Sequence, residues 1–589
     1  TPVHESGLLG MNSDALWNLN NDIVPGYRAL SDAVHAEGGR ILAQLAHSGG
    51  TVLINQPGLE SWAASPVRSE INGNIAHEMT LAEIHEVIDA HAEGAKRAAA
   101  GGMDGVEILG AFGFLPQAFL SPLTNHRTDK YGGALKNRLR FLMELLEAVR
   151  GALARDHVLG VRLPGDEFEP GALDLEQMKT ICKQIADTGL IDYLNIIAHT
   201  NITHLGRSRH WAPTPTRHGI FVHLAGAIRE VVNLPVFTVG RIVDPAHAEH
   251  IIAHGQADMV GMTRAHICDP QILSKIRGQL EASIRTCVGA NVCIANRYAG
   301  KPIRCIQNPT VATPGVALSP TKAPKKVSVI GAGPAGLECA RICAERGHAV
   351  QVFDAANRPG GQLALWASAP STGELARIVD WRLDELERLG VALILNRPMT
   401  RQNIVDLDAE VVVIATGALD ACRSFAGDGS MQVISAHELL CGAPVSAAKT
   451  LVLSEGRGQA GLVAGEVLLH QGIATEIVTS DIAVAADLDP TNRAAWYQRL
   501  GERDCRFTAA HVVESVNADT VVLRNVFDDR LSKREGIHLI VDWSGCRAND
   551  ELIYGWDDDA PQIFSIGDCR APRTVEVAIS EASALANRI

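Results

Sequence analysis

The sequence predicts an α/β protein built on parallel sheets, and three observations carry that reading. Between residues 40 and 265, short β-branched runs alternate with longer stretches of helical periodicity. From residue 327 a second α/β region opens with a strand, a glycine turn, a helix and another strand. Between the two, residues 281–313 break the alternation with closely spaced cysteines, and 311–326 read as a Pro- and Lys-bearing linker. At 589 residues the chain is too long for one core, so two to four domains are expected.

The strand candidates of the first half are 40–47, 103–109, 157–163, 192–197, 234–240 and 257–262. Amphipathic stretches such as 81–102 and 135–154 lie between them. Strand–helix alternation of this kind means parallel strands with crossover helices, hence a doubly wound sheet or an eightfold barrel. Six such units are present, and the chain opens at Thr1 without an initiator Met. If the fold is a barrel, two leading β/α units are expected upstream, and the barrel half as written is expected to fold poorly alone.

A hydrophobic content of 46% with 20% charged residues is ordinary for a globular protein. The net charge of -14 argues against nucleic acid or an anionic membrane as partner. No run reaches the roughly 18 apolar residues of a membrane span, and no charged-then-apolar signal segment opens the chain. A cytoplasmic location is expected, with the 12 scattered cysteines read as reduced thiols, some of them metal ligands.

The sharpest motif is Gly331-x-Gly333-x-x-Gly336, directly after a strand and opening a helix. The first glycine permits the tight turn, the second lets backbone approach a pyrophosphate, and the third allows close helix–strand packing. Asp354 ends the next strand, 18 residues after the last glycine, where an acid holds a ribose hydroxyl. A second unit, Gly456-x-Gly458-x-x-Gly461, reads either as a nicotinamide-dinucleotide site or as a plain tight turn. Its strand ends in Ser454-Glu455, and an acid is unwelcome beside a phosphate. In the first half, Gly240-Arg241 and Thr263-Arg264 follow the two last strands, where barrels hold phosphate. Gln44 and Arg162 end earlier strands on the same rim; an amide and a cation there could meet the pyrimidine edge of a flavin.

Residues 120–141, LSPLTNHRTDKYGGALKNRLRF, closely resemble the signature of old yellow enzyme-type FMN barrels. Segments 411–418 and 564–583 resemble the downstream signatures of flavoproteins with two dinucleotide domains; by that resemblance Gly417 and Asp568 join the FAD-site candidates, and Gly361 and Gln362 are further cofactor-binding candidates. With the cysteine segment, the whole chain resembles the trimethylamine dehydrogenase and 2,4-dienoyl-CoA reductase branch. Residues 258–270 and 287–308 look most like its dimethylglycine and N-methylproline demethylase members. The resemblance implies a (β/α)8 TIM barrel lacking its first strands, followed by two Rossmann-like dinucleotide-binding domains. The implied boundaries are 1–280 for the FMN barrel, 281–325 for the iron–sulfur segment and linker, 326–445 for the first FAD-binding part, 446–545 for the NAD(P)-type domain and 546–589 for the return to the FAD domain. The implied cofactors are FMN, FAD and an iron–sulfur cluster, 4Fe–4S or incomplete, with NAD(P) as a further candidate.

The chain departs from the branch at two places. Cys287, Cys293 and Cys305 have cluster spacing, but Ala290 stands where most of the branch has cysteine. The segment therefore reads as a cluster with an unidentified fourth ligand, or as three structural thiols. After the second strand, where much of the branch carries a His and a Tyr that act on substrate, this chain has Phe112 and Phe114. Phenylalanine cannot donate a proton to a reduced alkene, whereas an aromatic wall suits an alkylated amine; plain core packing is the other reading. Residues 199–211 offer His199, His204, Arg207, Arg209 and His210. By match to the branch, His204 is the expected proton-handling group and Arg207 the expected carboxylate clamp, the other histidines being surface residues and His47 a weaker pocket candidate.

The expected activity is oxidation of a small N-methylated amine or amino acid by hydride transfer to FMN, with electrons leaving through the cluster to FAD, nicotinamide or an electron-transfer flavoprotein. Two readings compete: a 2,4-dienoyl-CoA or enoate-type alkene reductase, and a non-catalytic electron-transfer subunit. A small-molecule substrate and a homo-oligomer of this chain are expected.

Overall fold

Six parallel strands run through the first half in chain order, each hydrogen-bonded to the next. The computed structural model describes residues 1–7, 16–51, 59–311, 318–557 and 560–589, so residues 312–317 of the expected linker lie outside the described residues. The strands are β1 (Leu42–Leu45), β2 (Gly105–Leu109), β3 (Val158–Pro164), β4 (Tyr193–Ile197), β5 (Val236–Thr238) and β6 (Met259–Val260). Five fall inside the runs expected from sequence, and β3 runs one residue past its expected end at 163. A doubly wound sheet reverses its strand order, and this one does not, so it follows the barrel course. Residues 1–3 lie along the other side of β1: Pro2 bridges Ala46 in parallel, and Val3 donates to the Ala46 carbonyl at 3.2 Å.

The crossover helices bury one stripe each. In α1 (Leu81–Ala100) the buried residues Ile84, Val87, Ile88, His91, Ala95 and Ala98 recur at helical spacing, and a Thr80/Glu83 capping box starts the helix. The next helices are α2 (Leu115–Leu120), α3 (Leu135–Ala152) and α4 (Leu175–Ala186), the last started by an Asp174/Gln177 box. They are followed by α5 (His204–His210), α6 (Val222–Arg229), α7 (Pro245–Ala253) and α8 (Thr263–Cys268).

The chain divides into two compact units, one of Thr1–Ala212, Thr216–Arg264 and Arg297–Pro302, the other of Pro213–Pro215, Ala265–Asn296 and Ile303–Ile589. The second unit thus begins at Ala265, ahead of residue 280, and includes all three cysteines of the expected cluster segment. It holds two five-stranded parallel sheets. The first is ordered β9 (Ala392–Ile394), β8 (Ala349–Phe353), β7 (Lys326–Ile330), β10 (Val411–Ile414) and β16 (Gln562–Ser565), so the chain's last strand returns to the first sheet. The second is ordered β11 (Gln432–Ser435), β15 (Leu539–Trp543), β12 (Lys449–Ser454), β13 (Ala474–Val478) and β14 (Arg506–Thr508). Its strand β11 lies ahead of residue 446, in a polar stretch without the alternation that marks a strand. No helix among the described residues is long and apolar enough to cross a membrane, and none of the described cysteines is in a disulfide.

Candidate functional site

On the inner side of the barrel sheet, Glu107 of β2 collects three donors. The Gln44 amide reaches it at 2.6 Å, the Tyr193 hydroxyl at 2.9 Å and the Asn195 amide at 2.8 Å. Gly160 makes room for this set, since a Cβ there would fall 2.0 Å from the Tyr193 ring. Gln44 is thus tied by its amide to a neighbouring carboxylate. An acid inside the apolar run Gly105–Leu109 is the signal that could have revealed Glu107 and, with it, Asn195.

Arg162 stands opposite both Leu109 and Asn195 in the register. Its Nε is buried and has no partner among the described residues, as is the Thr238 hydroxyl at the end of β5. Beyond β5, Gly240 adopts φ +117, and a Cβ there would meet the Phe221 ring at 2.6 Å, so the loop turns closely as a glycine alone allows. Arg241 is buried and donates to the Thr216 carbonyl; Arg264 donates to the Ala212 carbonyl at 3.0 Å. Thr263 is exposed at the start of α8. The unpartnered Arg162 Nε, the unpartnered Thr238 hydroxyl and two arginine-bearing loops form a donor-rich rim, and these residues fit an anionic flavin such as FMN.

The two phenylalanines part company. Phe114 is 6% exposed and packs in the core, whereas Phe112 is held in the left-handed region at φ +69. The Phe112 ring centre lies 3.8 Å from that of His210 and 5.7 Å from that of Trp211, with the Arg162 guanidinium 5.2 Å away over its face. Of the basic residues in α5 and the segment before it, His199, Arg207 and His210 are buried, while His204 and Arg209 are exposed. His204, the expected proton-handling residue, therefore faces solvent at the first position of a helix whose buried face runs through 206, 207, 208 and 210. His210 instead lines the Phe112 side: its Nδ1–H donates to the Ala198 carbonyl at 2.9 Å, and its Nε2 is buried without a partner among the described residues. Burial first, then the Arg162 charge, holds His210 well below the usual histidine range, so the ring is neutral. Arg207 lies 3.6 Å over the Tyr298 ring, with the Trp211 ring centre 5.3 Å from that of Tyr298 in an edge-to-face contact. His47 is buried and already satisfied by Ser6 at 2.9 Å and the Gly49 N–H.

In the second unit the first glycine turn is geometrically strict. Gly331 has φ +113, and a Cβ there would lie 2.2 Å from the Ala415 carbonyl oxygen; at Gly336 it would lie 1.9 Å from the Gly331 oxygen. At Gly333 a Cβ would meet nothing within 4 Å, which leaves the open space a pyrophosphate needs. Asp354 accepts from the Ala332 N–H at 2.6 Å and the Ala356 N–H at 2.8 Å, pinning its carboxylate at the mouth of that turn. Gly361 closes the same space, its Cβ position 3.4 Å from the Gly333 Cα, and Gln362 donates to the Ala418 carbonyl at 3.1 Å, beside Gly417 at φ +74. Asp568 accepts from the Arg573 N–H at 2.9 Å, and burial pushes its carboxyl up. These residues fit a dinucleotide. The second glycine turn differs: the Gly458 N–H donates to Asp487 at 2.7 Å, and Glu455 accepts from both the N–H and the hydroxyl of Ser480. Asp487 thus holds a turn N–H that a phosphate would use, and Glu455 places a second carboxylate at the strand end beside it.

Cys287, Cys293 and Cys305 are partly exposed, and the Gln307 N–H points at Cys305 Sγ at 3.5 Å. Their chemistry fits an iron–sulfur cluster, short of one thiolate at Ala290.

The model of the NADH:flavin oxidoreductase / NADH oxidase family matches residues 3–283, and that of the NAD(P)-binding Rossmann-like domain matches residues 329–382. N,N-dimethylglycine/sarcosine dehydrogenase of Chromohalobacter salexigens is 34% identical, over 98% of this chain and 90% of its own length. A probable N-methylproline demethylase of Rhizobium meliloti is 37% identical, over 91% of this chain and 80% of its own. Among solved structures, a 2-naphthoyl-CoA reductase in complex with 2-naphthoyl-CoA superposes with a TM-score of 0.91 at 26% identity, covering 100% of this chain and 90% of that one.

Proposed function

The chain belongs to the NADH:flavin oxidoreductase / NADH oxidase family of FMN-dependent oxidoreductases, and we propose that it oxidises a small N-methylated amine or amino acid. The observation that carries this reading is the Phe112 wall against neutral His210. FMN, when bound, supplies the hydride acceptor. Arg162, Gly240, Arg241, Thr263 and Arg264 would hold it, with Gln44 at its rim. The same burial and positive field that keep His210 neutral lower the pKa of a bound ammonium, favouring the free lone pair that amine oxidation needs. The His210 Nε2 lone pair can accept a hydrogen bond from the substrate nitrogen. Arg207 is the carboxylate-holding candidate for an amino-acid substrate, and His204 an outer proton carrier. Loss of hydride leaves an iminium, which water hydrolyses to formaldehyde and the demethylated product.

Gly331, Gly333, Gly336, Asp354, Gly361, Gln362, Gly417 and Asp568 would cradle FAD, and Cys287, Cys293 and Cys305 an iron–sulfur cluster. With Asp487 and Glu455 at the second glycine turn, we read the electron acceptor as a partner flavoprotein rather than NAD(P).

Anaerobic mixing with dimethylglycine or N-methylproline tests the proposal. Bleaching of the flavin absorbance with release of formaldehyde is expected. A second reading, alkene reduction, has one observation in its favour: the Tyr298 hydroxyl, in hydrogen-bond contact with Asn201 and Arg207, could supply a proton. Silence with every methylamine, together with NADPH-dependent loss of a dienoyl chromophore, would reverse the assignment.

A further inference from the structure

The three cysteines of the cluster segment have a fourth neighbour that their spacing does not reveal. Cys268, at the last position of α8, is 0% exposed, and its thiol makes a side-chain hydrogen bond with Cys305. Cys287 is also close enough for its charge to act on Cys268. The backbone contacts are specific. Arg285 Nε donates to the Cys268 carbonyl at 2.9 Å, and the Arg285 N–H to the Asp269 carboxylate at 2.9 Å. The Asn308 amide donates to the Ile267 carbonyl at 3.0 Å, and the Gln307 amide to the Thr286 carbonyl at 2.7 Å. Three strips of chain, 267–269, 285–287 and 305–308, are thereby stitched side by side, each carrying one thiol.

Ala290 offers no donor side chain. It lines a small, partly open pocket with Gln459, Asn492, Trp496 and Arg499, and its carbonyl accepts from the Asn492 amide at 3.0 Å. The charge around the thiols is also unusual for a plain core. Arg285 and Arg382 are both buried and donate to the Gln307 carbonyl at 3.4 and 3.0 Å, two residues past Cys305. Arg382 is countered by Glu338 at 2.9 Å, a carboxylate that also serves Arg341 at 2.9 Å. Buried guanidinium charge of this kind would be costly beside neutral thiols and suits a thiolate-bound, negatively charged group.

We propose that Cys268 supplies the fourth thiolate of the iron–sulfur cluster, with Cys287, Cys293 and Cys305, in place of position 290. The proposal rests on the reading that a cluster is present. It makes the site complete without a cysteine at 290, from a residue 19 positions before Cys287 that local spacing rules would not pair with it.

Iron and acid-labile sulfide per chain, with the EPR spectrum of the dithionite-reduced full-length protein, test it. Wild type is expected to hold about four irons, and Cys268→Ala about three or fewer, with an altered signal. Cys268→Ser keeps the side-chain size and reads the same change should the alanine variant not fold. FMN content reports folding, and Cys182→Ala, at another buried free thiol, controls for loss of core volume. Adding Ala290→Cys to Cys268→Ala is expected to restore iron towards the wild-type level. Unchanged iron and an unchanged signal in both Cys268 variants would overturn the ligand assignment while leaving the cluster in place. Wild-type protein without iron or sulfide would overturn the cluster reading itself.

Discussion

Phe112 holds a left-handed backbone that an aromatic side chain rarely adopts, and it does so between the Arg162 guanidinium and the buried His210 imidazole. The residues that share its environment were only partly legible. Arg162 and Arg207 could be picked out because a cation at a strand end or in a loop after β4 stands out from an apolar background. His210 could not be told from His204, because both are histidines of one short helix and only burial separates them. Burial also has a consequence for stability. His91 and His199 are pushed down to about 4, chiefly by burial, and His47 and His210 lie well below the ordinary value for the same reason. Between those values and about 6.5 the unfolded chain binds protons that the folded chain refuses, so stability rises with pH there and falls on acidification. From pH 7 to pH 5 His91 and His199 are each expected to withdraw about 2 kcal/mol, with His47 and His210 acting in the same direction. Urea midpoints measured across that range check this, and a His91→Gln variant that folds should show a shallower dependence.

At the scale of elements, the two glycine turns of the second unit share a pattern and differ in what their backbone amides meet. The first turn predicts a contrast between neighbouring substitutions. Gly333→Ala adds a methyl into open space, so the chain should fold normally while binding FAD at least about tenfold more weakly. Gly336→Ala drives a methyl into the Gly331 carbonyl, so it should cost about 1–3 kcal/mol of stability before any ligand is added. Thermal melts with and without added FAD separate the two; equal melting losses for both variants would argue against the open-space assignment at 333. Glu455 was visible in sequence as a disfavoured acid at the second turn. Asp487 was not, because it lies 29 residues from Gly458 and reaches it only through the fold.

Over the whole molecule, the consequence concerns where electrons go. NADH and NADPH are expected to leave the flavins oxidised in anaerobic mixing, while an electron-transfer flavoprotein or an artificial dye should support turnover with a methylated amine. Asp487→Asn removes the charge that holds the Gly458 N–H and should increase nicotinamide binding, measured by calorimetry; rapid flavin reduction by NADH in wild type would contradict this reading.

The course of the chain, six parallel strands and then two glycine-turn sheets, could be written down from periodicity and motif position, because strand–helix alternation and a turn's need for glycine are local properties. So could the two arginine-bearing loops and the pinned Asp354. Which histidine is dry, which phenylalanine packs against it, and that Cys268 lies against Cys305 depended on folding. Burial, like the meeting of strips 267–269 and 305–308, is set by packing between segments far apart in the chain. No window of residues, however well read, contains that information.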